Sequence, residues 1–377
     1  MKVSILTPAF LSLDDKERNF AFQLGHSLVN QGVEVVLFTF TKALEISSSL
    51  LSEGEITLEG LTIKKYQPKV FRIIGMMPQL YSSKLIKDIF QEHPDIVHIY
   101  GFSQFLLLFT LLRKLKTPVV LSPPKIHESV QDTFFSFIKK IFKMVIQFIS
   151  KKVSYFIVDN PIDKNTLMNL GVQTEKIASI PHNIDYEKMA SIKRREEDLI
   201  LSVGRYAPNK GFHNLIAAAR QILNAFPRIR FYLVGTIFDK EYHKFLLKKI
   251  EGFEDQIYLT GPLEEAKLLN LFSRAKLFVF PSINDTSGLV NIEAMAAGIP
   301  IIATKVEGTS LFIQDGVNGI LIPPDSVPAL VNSILELWKN KEKRNLLIKK
   351  GRERAKKFYW QNYSQEIIKI YKDCLMK

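Results

Sequence analysis

A single cysteine, Cys374, is all that the 377 residues provide for thiol chemistry, so no disulfide can form within the chain and a reducing, cytoplasmic setting is expected. Long apolar runs are missing too, and none approaches the length of a membrane span. At the amino end Pro8 interrupts the first apolar stretch. Asp14-Asp15-Lys16-Glu17-Arg18 then stands where a leader would carry small residues, which argues against a signal peptide. No two glycines lie two positions apart and no glycine precedes a lysine. The Gly-x-Gly cue of dinucleotide binding and the Gly-Lys pair of a phosphate-binding P-loop are therefore both absent, and with them the usual signs of hydride transfer and ATP hydrolysis. No two aspartates lie two apart and the seven histidines show no ligand spacing, so neither a metal site nor a resident cofactor is expected. Zinc-finger spacing, RNA-binding aromatic motifs and recognition-helix patterns are lacking, which removes nucleic acid as an expected partner.

What the sequence does have is a repeated alternation of short apolar runs with helical stretches, the pattern of doubly wound α/β units. Val3–Thr7, Val33–Leu37, Ile96–Ile99, Val119–Leu121 and Tyr155–Val158 read as strands of a first unit, and Leu199–Val203 opens a second. The length exceeds one typical core, which predicts two domains. The boundary is placed near Tyr186–Asp198, a polar, highly charged stretch poor in strand formers that suits a hinge. This gives a first domain over residues 1–188 and a second over 189–357.

The most informative stretch runs from Ser282 to Pro300. Leu289, Ile292, Met295 and Ala296 recur at helical spacing, Asp285 to Ser287 supply cap-type residues ahead of them, and Gly298 with Pro300 closes the helix. A helix starting near Gly288 points its first free amides at whatever lies in front, and amides at a positive dipole end attract phosphate oxygens. Gly288 has no side chain to block close approach. Asp285 and Glu293 place two carboxylates around that junction, as suits a phosphorylated, hydroxyl-rich ligand. Upstream, Val203-Gly204-Arg205-Tyr206-Ala207-Pro208-Asn209-Lys210-Gly211-Phe212 reads as a strand-to-helix loop in which Arg205 and Lys210 can neutralise a diphosphate.

The order of these segments, together with Phe231-Tyr232-Leu233-Val234-Gly235, Ile257-Tyr258-Leu259-Thr260-Gly261, Phe278-Val279-Phe280-Pro281-Ser282 and Asp315-Gly316-Val317-Asn318-Gly319, resembles the donor domain of family-4 retaining glycosyltransferases, the group 1 enzymes of GT-B fold. The resemblance is dense over residues 199–330. It implies two facing Rossmann-like doubly wound domains with a cleft between them, the first binding acceptor and the second a nucleotide-sugar, and a C-terminal helix over 358–377 that packs back on the first domain. It also implies metal-independent transfer of a hexose from a nucleoside-diphosphate sugar, with retention at the anomeric carbon, to a glycan or lipid-linked acceptor. The catalytic group would be Arg205, Lys210 and Asp285. Gly204, Gly235, Ser287, Gly288, Leu289 and Glu293 would join Arg205 and Lys210 in holding the donor, and His98 and His127 would line the acceptor cleft. This chain has Asp285 where the family usually has glutamate, Asp15-Lys16 where a paired-glycine loop is usual, and Pro124 at the place of a usual histidine. A nucleotide-sugar epimerase of the same architecture and a non-catalytic subunit binding donor or lipid are the alternatives.

Charge is uneven. Residues 339–377 carry 13 basic against 4 acidic side chains, and residues 113–152 carry nine against two. Within the latter, Phe134–Lys151 sets Ser136, Lys139, Lys140, Lys143, Gln147 and Lys151 on about a third of a helical circle, with apolar residues filling nearly all the rest. Such a helix can lie in an anionic membrane interface, at the inner face of the membrane for a cytoplasmic enzyme, or pack as a core helix with a solvated lysine strip.

Overall fold

A computed structural model describes residues 1–7, 19–41, 53–71, 79–101, 116–123, 136–181, 183–285 and 288–376, without the side chains of Gln79 and residues 136–142. The chain divides into two compact units, Met1–Pro181 with Trp360–Lys377, and His182–Tyr359.

The first unit holds an eight-stranded sheet. Its strands are β1 (Lys2–Leu6), β2 (Glu34–Phe40), β3 (Gly54–Leu58), β4 (Leu61–Tyr66), β7 (Ile96–Tyr100), β8 (Val119–Ser122), β9 (Tyr155–Val158) and β10 (Ile177–Ser179), while β5 (Lys69–Phe71) and β6 (Gln79–Tyr81) form a separate ribbon. The order is β10-β9-β8-β7-β1-β2-β4-β3, parallel throughout except for the β3–β4 hairpin. Alternate residues feed opposite faces, as a sheet buried on both sides requires. Val36, Phe38, Val97 and Ile99 pack with Leu85, Ile86 and Ile89 of the helix Ser83–Gln91. Val35, Leu37 and Ile96 pack on the other face with Phe22 and Leu24 of Phe20–Val29 and with Tyr363, Ile367, Ile370 and Tyr371 of the C-terminal helix Trp360–Met376.

The second unit holds six strands, β11 (Leu199–Val203), β12 (Arg230–Val234), β13 (Ile257–Gly261), β14 (Leu277–Phe280), β15 (Ile301–Thr304) and β16 (Ile320–Ile322), all parallel in the order β13-β12-β11-β14-β15-β16. Ile200, Phe231, Leu277 and Ile302 face the helices Phe212–Ala225 and Val327–Lys339; Leu201, Val234, Phe278 and Ala303 face Glu265–Arg274 and Leu289–Ala296. Strand order reverses between β11 and β14. Ligands of open parallel sheets bind beyond the carboxyl ends of the strands at such a switch point.

One expectation is corrected here. The segment Tyr186–Asp198 is no hinge: Tyr186–Ala190 is helical, and the Arg194 guanidinium donates to the carbonyls of Phe272 and Ala275. Backbone bonds from Arg195 to Ser273 (2.7 Å) and from Glu197 to Arg274 (2.8 Å) tie the rest to the second unit. Its charges are partnered inside the second unit, Glu196 with Arg344, Glu197 with Arg274 and Asp198 with Lys276, and the unit accordingly starts before 189. The helix Ser136–Ser150 combines features of both alternatives left open for it, since Ile146 and Ile149 are core residues whereas Met144 (68% exposed) and Phe148 (45%) face out beside exposed Lys143 and Gln147. Among the described residues, no helix is long and apolar enough to cross a membrane.

Candidate active site

The loop after β11 is shaped by buried contacts. Tyr206 is fully buried, its hydroxyl donating to the Leu233 carbonyl (2.7 Å) and accepting from the Gly261 amide (3.0 Å), so the loop is pinned across the ends of β12 and β13. Burial raises the pKa of this phenol, which keeps it a neutral donor. Gly235 is dictated by closeness: a Cβ there would lie 1.7 Å from the Gly204 carbonyl oxygen. Gly211, at φ +65°, ends the turn Pro208–Lys210, and a Cβ on it would meet the Pro281 oxygen at 2.0 Å. The β11 and β14 loops thus touch backbone to backbone.

Asn209 sews them together. Its carbonyl accepts from the Ile283 amide (2.8 Å) and the Ser282 hydroxyl (3.0 Å), and its side-chain amide donates to the Asn284 carbonyl (3.1 Å). Neither Asn209 nor Tyr206 stands out in the sequence as a residue with a role. A polar residue between Arg205 and Lys210 was the available signal for Asn209, and nothing local marks Tyr206.

With the loops joined, Lys210 and Asp285 form an ion pair, their side chains 13% and 5% exposed. The other Asp285 oxygen accepts the Gly288 amide (2.9 Å), and its backbone carbonyl accepts the Gly308 amide (2.8 Å). Gly288, at φ +54°, caps the helix Leu289–Ala296. A side chain there would press on the Gly308 carbonyl. Leu289 opens that helix and Glu293 lies in its second turn, both half-buried. Arg205 is exposed and lies over the ring of Phe238 (4.6 Å). The site therefore gathers Lys210, Asp285 and Gly288, with Arg205 on the same loop as Lys210. Ser287 lies outside the described residues, as do His127, Asp15, Lys16 and Pro124.

His98 has a different place. It is fully buried on β7, with Nδ1 2.6 Å from the Tyr371 hydroxyl and Nε2 2.7 Å from the Ser122 hydroxyl. Burial pushes its pKa down to about 3, so the ring is neutral. A ring with both nitrogens engaged in the core does not line an acceptor cleft.

The sequence profile of the glycosyl transferases group 1 matches residues 184–354, and that of glycosyltransferase family 4 matches residues 18–188. The alpha-monoglucosyldiacylglycerol synthase of Acholeplasma laidlawii is 25% identical over 100% of this chain and 98% of its own. The sulfoquinovosyl transferase SQD2 of Arabidopsis thaliana is 26% identical over 76% of this chain and 58% of its own. The chain spans about half the length of other curated relatives that it matches. Among solved structures, Anabaena HepE in complex with UDP-glucose shares the fold with a TM-score of 0.71 at 18% identity, over 99% of this chain and 100% of that one.

Proposed function

The chain belongs to the glycosyltransferases of group 1 and family 4, and on that premise we propose that it moves a hexose from a nucleoside-diphosphate sugar to a lipid-linked or glycan acceptor, without a metal ion and with retention at the anomeric carbon. The observation that carries this reading is the meeting of Lys210, Asp285 and Gly288 at the switch point of the second sheet. In such a transfer negative charge grows on the departing diphosphate and positive charge on the sugar. Prearranged cations and amides around the phosphates are then the main source of rate. Arg205, Lys210 and the Gly288 and Leu289 amides would take that part, Glu293 would accept from the ribose, and Asp285 from hydroxyls of the sugar.

The Asp285 carboxylate occupies the ammonium of Lys210 and the amide of Gly288, the two groups that this reading gives to the diphosphate. A diphosphate arriving there displaces the carboxylate, which turns it toward the sugar. A nucleotide-sugar donor is further supported by the UDP-glucose bound in a solved structure of this fold, and a lipid acceptor by the names of relatives such as the glucosyldiacylglycerol synthase. Lipid acceptors place the enzyme at the cytoplasmic face of a bilayer, with Met144, Phe148 and Lys143 of the helix Ser136–Ser150 against it.

The test is turnover of a panel of nucleotide sugars with diacylglycerol, lipid-linked and glycan acceptors, the product's anomeric configuration being read by NMR. An α-linked product from an α-linked donor is expected. Isomerised sugar in the absence of acceptor would instead make the protein an epimerase, and donor binding without turnover a non-catalytic subunit.

A further inference from the structure

Several arginines of the second unit spend their guanidinium groups on the fold. Arg194 donates to the carbonyls of Phe272 and Ala275, Arg344 to those of Leu337 (2.8 Å) and Trp338 (2.9 Å), and Arg354 to that of Leu311 (2.7 Å). Arg205, which the proposed mechanism sets against the diphosphate, is different. Among the described residues its guanidinium makes no hydrogen bond and no ion pair; what it meets is the ring of Phe238, whose centre lies 4.6 Å from the guanidinium carbon.

Phe238 is 67% exposed, so packing in the core does not account for it. The backbone that carries it is nevertheless fixed. The Gly235 amide donates to the Gly261 carbonyl (3.1 Å), that of Tyr206 to the Thr236 carbonyl (2.8 Å), and that of Asp239 back to the Tyr206 carbonyl (3.0 Å). Tyr206 and Ile237 are bridged in parallel, so the loop after β12 runs alongside the loop after β11. Asp239 then caps the helix Lys240–Lys249, its carboxylate accepting the Tyr242 amide (2.9 Å). Two loops held in register thus present Phe238 to Arg205 at the carboxyl ends of their strands.

We propose that Phe238 is a positioning residue for the diphosphate: its ring holds the Arg205 guanidinium in place, on the loop shared with Lys210, before the ligand arrives. The proposal rests on the reading of Arg205 as a diphosphate ligand and adds the residue that orients it. An aromatic ring attracts a guanidinium through its π electrons and takes none of its five N–H groups, so charge and donors stay available to phosphate oxygens. A carboxylate in the same place would neutralise the cation and compete with the diphosphate, as Asp285 does for Lys210. With no partner at all, a long exposed arginine would lose its rotamer freedom on binding, which weakens affinity. An exposed aromatic avoids both penalties.

The experiment is calorimetry of UDP, GDP and ADP on the full chain, comparing the wild type with Phe238→Leu, Phe238→Tyr, Arg205→Ala and the Arg205→Ala/Phe238→Leu pair. Phe238→Leu keeps apolar bulk and loses the π electrons. A cation over a ring at an exposed site changes an equilibrium constant by roughly two- to fivefold, so this variant should bind the wild type's nucleotide more weakly by that factor. Its melting temperature should not move, since the ring is exposed. Phe238→Tyr restores the ring and should recover the affinity, and Phe238→Leu should have no further effect once Arg205 is alanine. Equal affinity of the wild type and Phe238→Leu would overturn the proposal, while the nucleotide binding itself would leave the glycosyltransferase reading standing. A loss in Phe238→Tyr as large as in Phe238→Leu would overturn it too. So would an undiminished effect of Phe238→Leu in the Arg205→Ala chain, which would make the ring a ligand contact in its own right. If none of the three nucleotides binds the wild type, the reading of the site falls and the positioning role with it.

Discussion

Both units place polar side chains at or near the carboxyl ends of parallel strands, and they use them in opposite ways. In the second unit Lys210 and Asp285 stand on loops that leave β11 and β14, joined through Asn209, with Asp285 buried and Lys210 partly open to solvent. In the first unit His98 and Ser122 stand on β7 and β8, sealed against Tyr371 of the C-terminal helix. An ion pair of modest exposure on loops can be exchanged for an incoming anion. A neutral histidine in the core, with both nitrogens bonded, can only be satisfied or lost. Similar residue chemistry thus marks a working site in one unit and a fastening in the other.

The strongest break of that contrast is Lys210→Ala, expected to lower turnover by roughly 10²-fold or more, with a smaller effect on folding from the buried Asp285 carboxylate that loses its ammonium partner. Arg205→Ala should act likewise, and steady-state kinetics of the double variant should show less than the product of the two effects if both serve one leaving group. Unchanged transfer by Lys210→Ala would remove the diphosphate role.

Next comes Asp285→Asn. Its kcat/KM should fall strongly because the sugar loses a charged acceptor, whereas calorimetry should find free nucleoside diphosphate bound more tightly, because the carboxylate no longer competes for Lys210 and Gly288. Weaker nucleotide binding would show that Asp285 holds Lys210 in place rather than yielding it.

In the first unit His98→Phe should cost about 1–3 kcal/mol of stability, since the hydroxyls of Tyr371 and Ser122 lose a buried partner, with donor affinity untouched. The pH dependence sharpens the point. The folded pKa of His98 lies far below that of an unfolded histidine, near 6.5, so the unfolded chain binds a proton first as pH falls. Its contribution to stability is present above about pH 6.5 and drains away toward pH 3. Denaturant melts of the wild type should weaken over that window more than those of His98→Phe; parallel curves would mean that the ring is already protonated in the folded chain.

The contrast also explains what was legible in the sequence. The helix Leu289–Ala296, its start at Gly288 and the loop from Gly204 to Gly211 were legible because phosphate chemistry demands particular residues at short spacing. The pairing of Lys210 with Asp285 was not, because 75 residues separate them and only the β11–β14 adjacency joins their loops. His98 looked like a site residue because its sequence neighbours cannot reveal that Tyr371, 273 positions on, covers it. In β4, Lys64 and Lys65 hid a strand, since Lys65 is buried and Lys64 pairs with Glu55 and Glu92. Arg194 made a docked segment resemble a hinge for the same reason: a charge whose partners are distant carbonyls reads as a solvated one.

The most direct test of the central claim is thermal shift of the wild type and of the Arg205→Ala/Lys210→Ala variant against UDP, GDP, ADP and their sugar conjugates. A ligand that binds only the folded state raises stability with the logarithm of its concentration over its Kd. At least one of these nucleotides should raise the melting temperature of the wild type, and the double variant, measured against its own ligand-free melting temperature, should lose that shift. A nucleotide that stabilises both proteins equally would contradict the account.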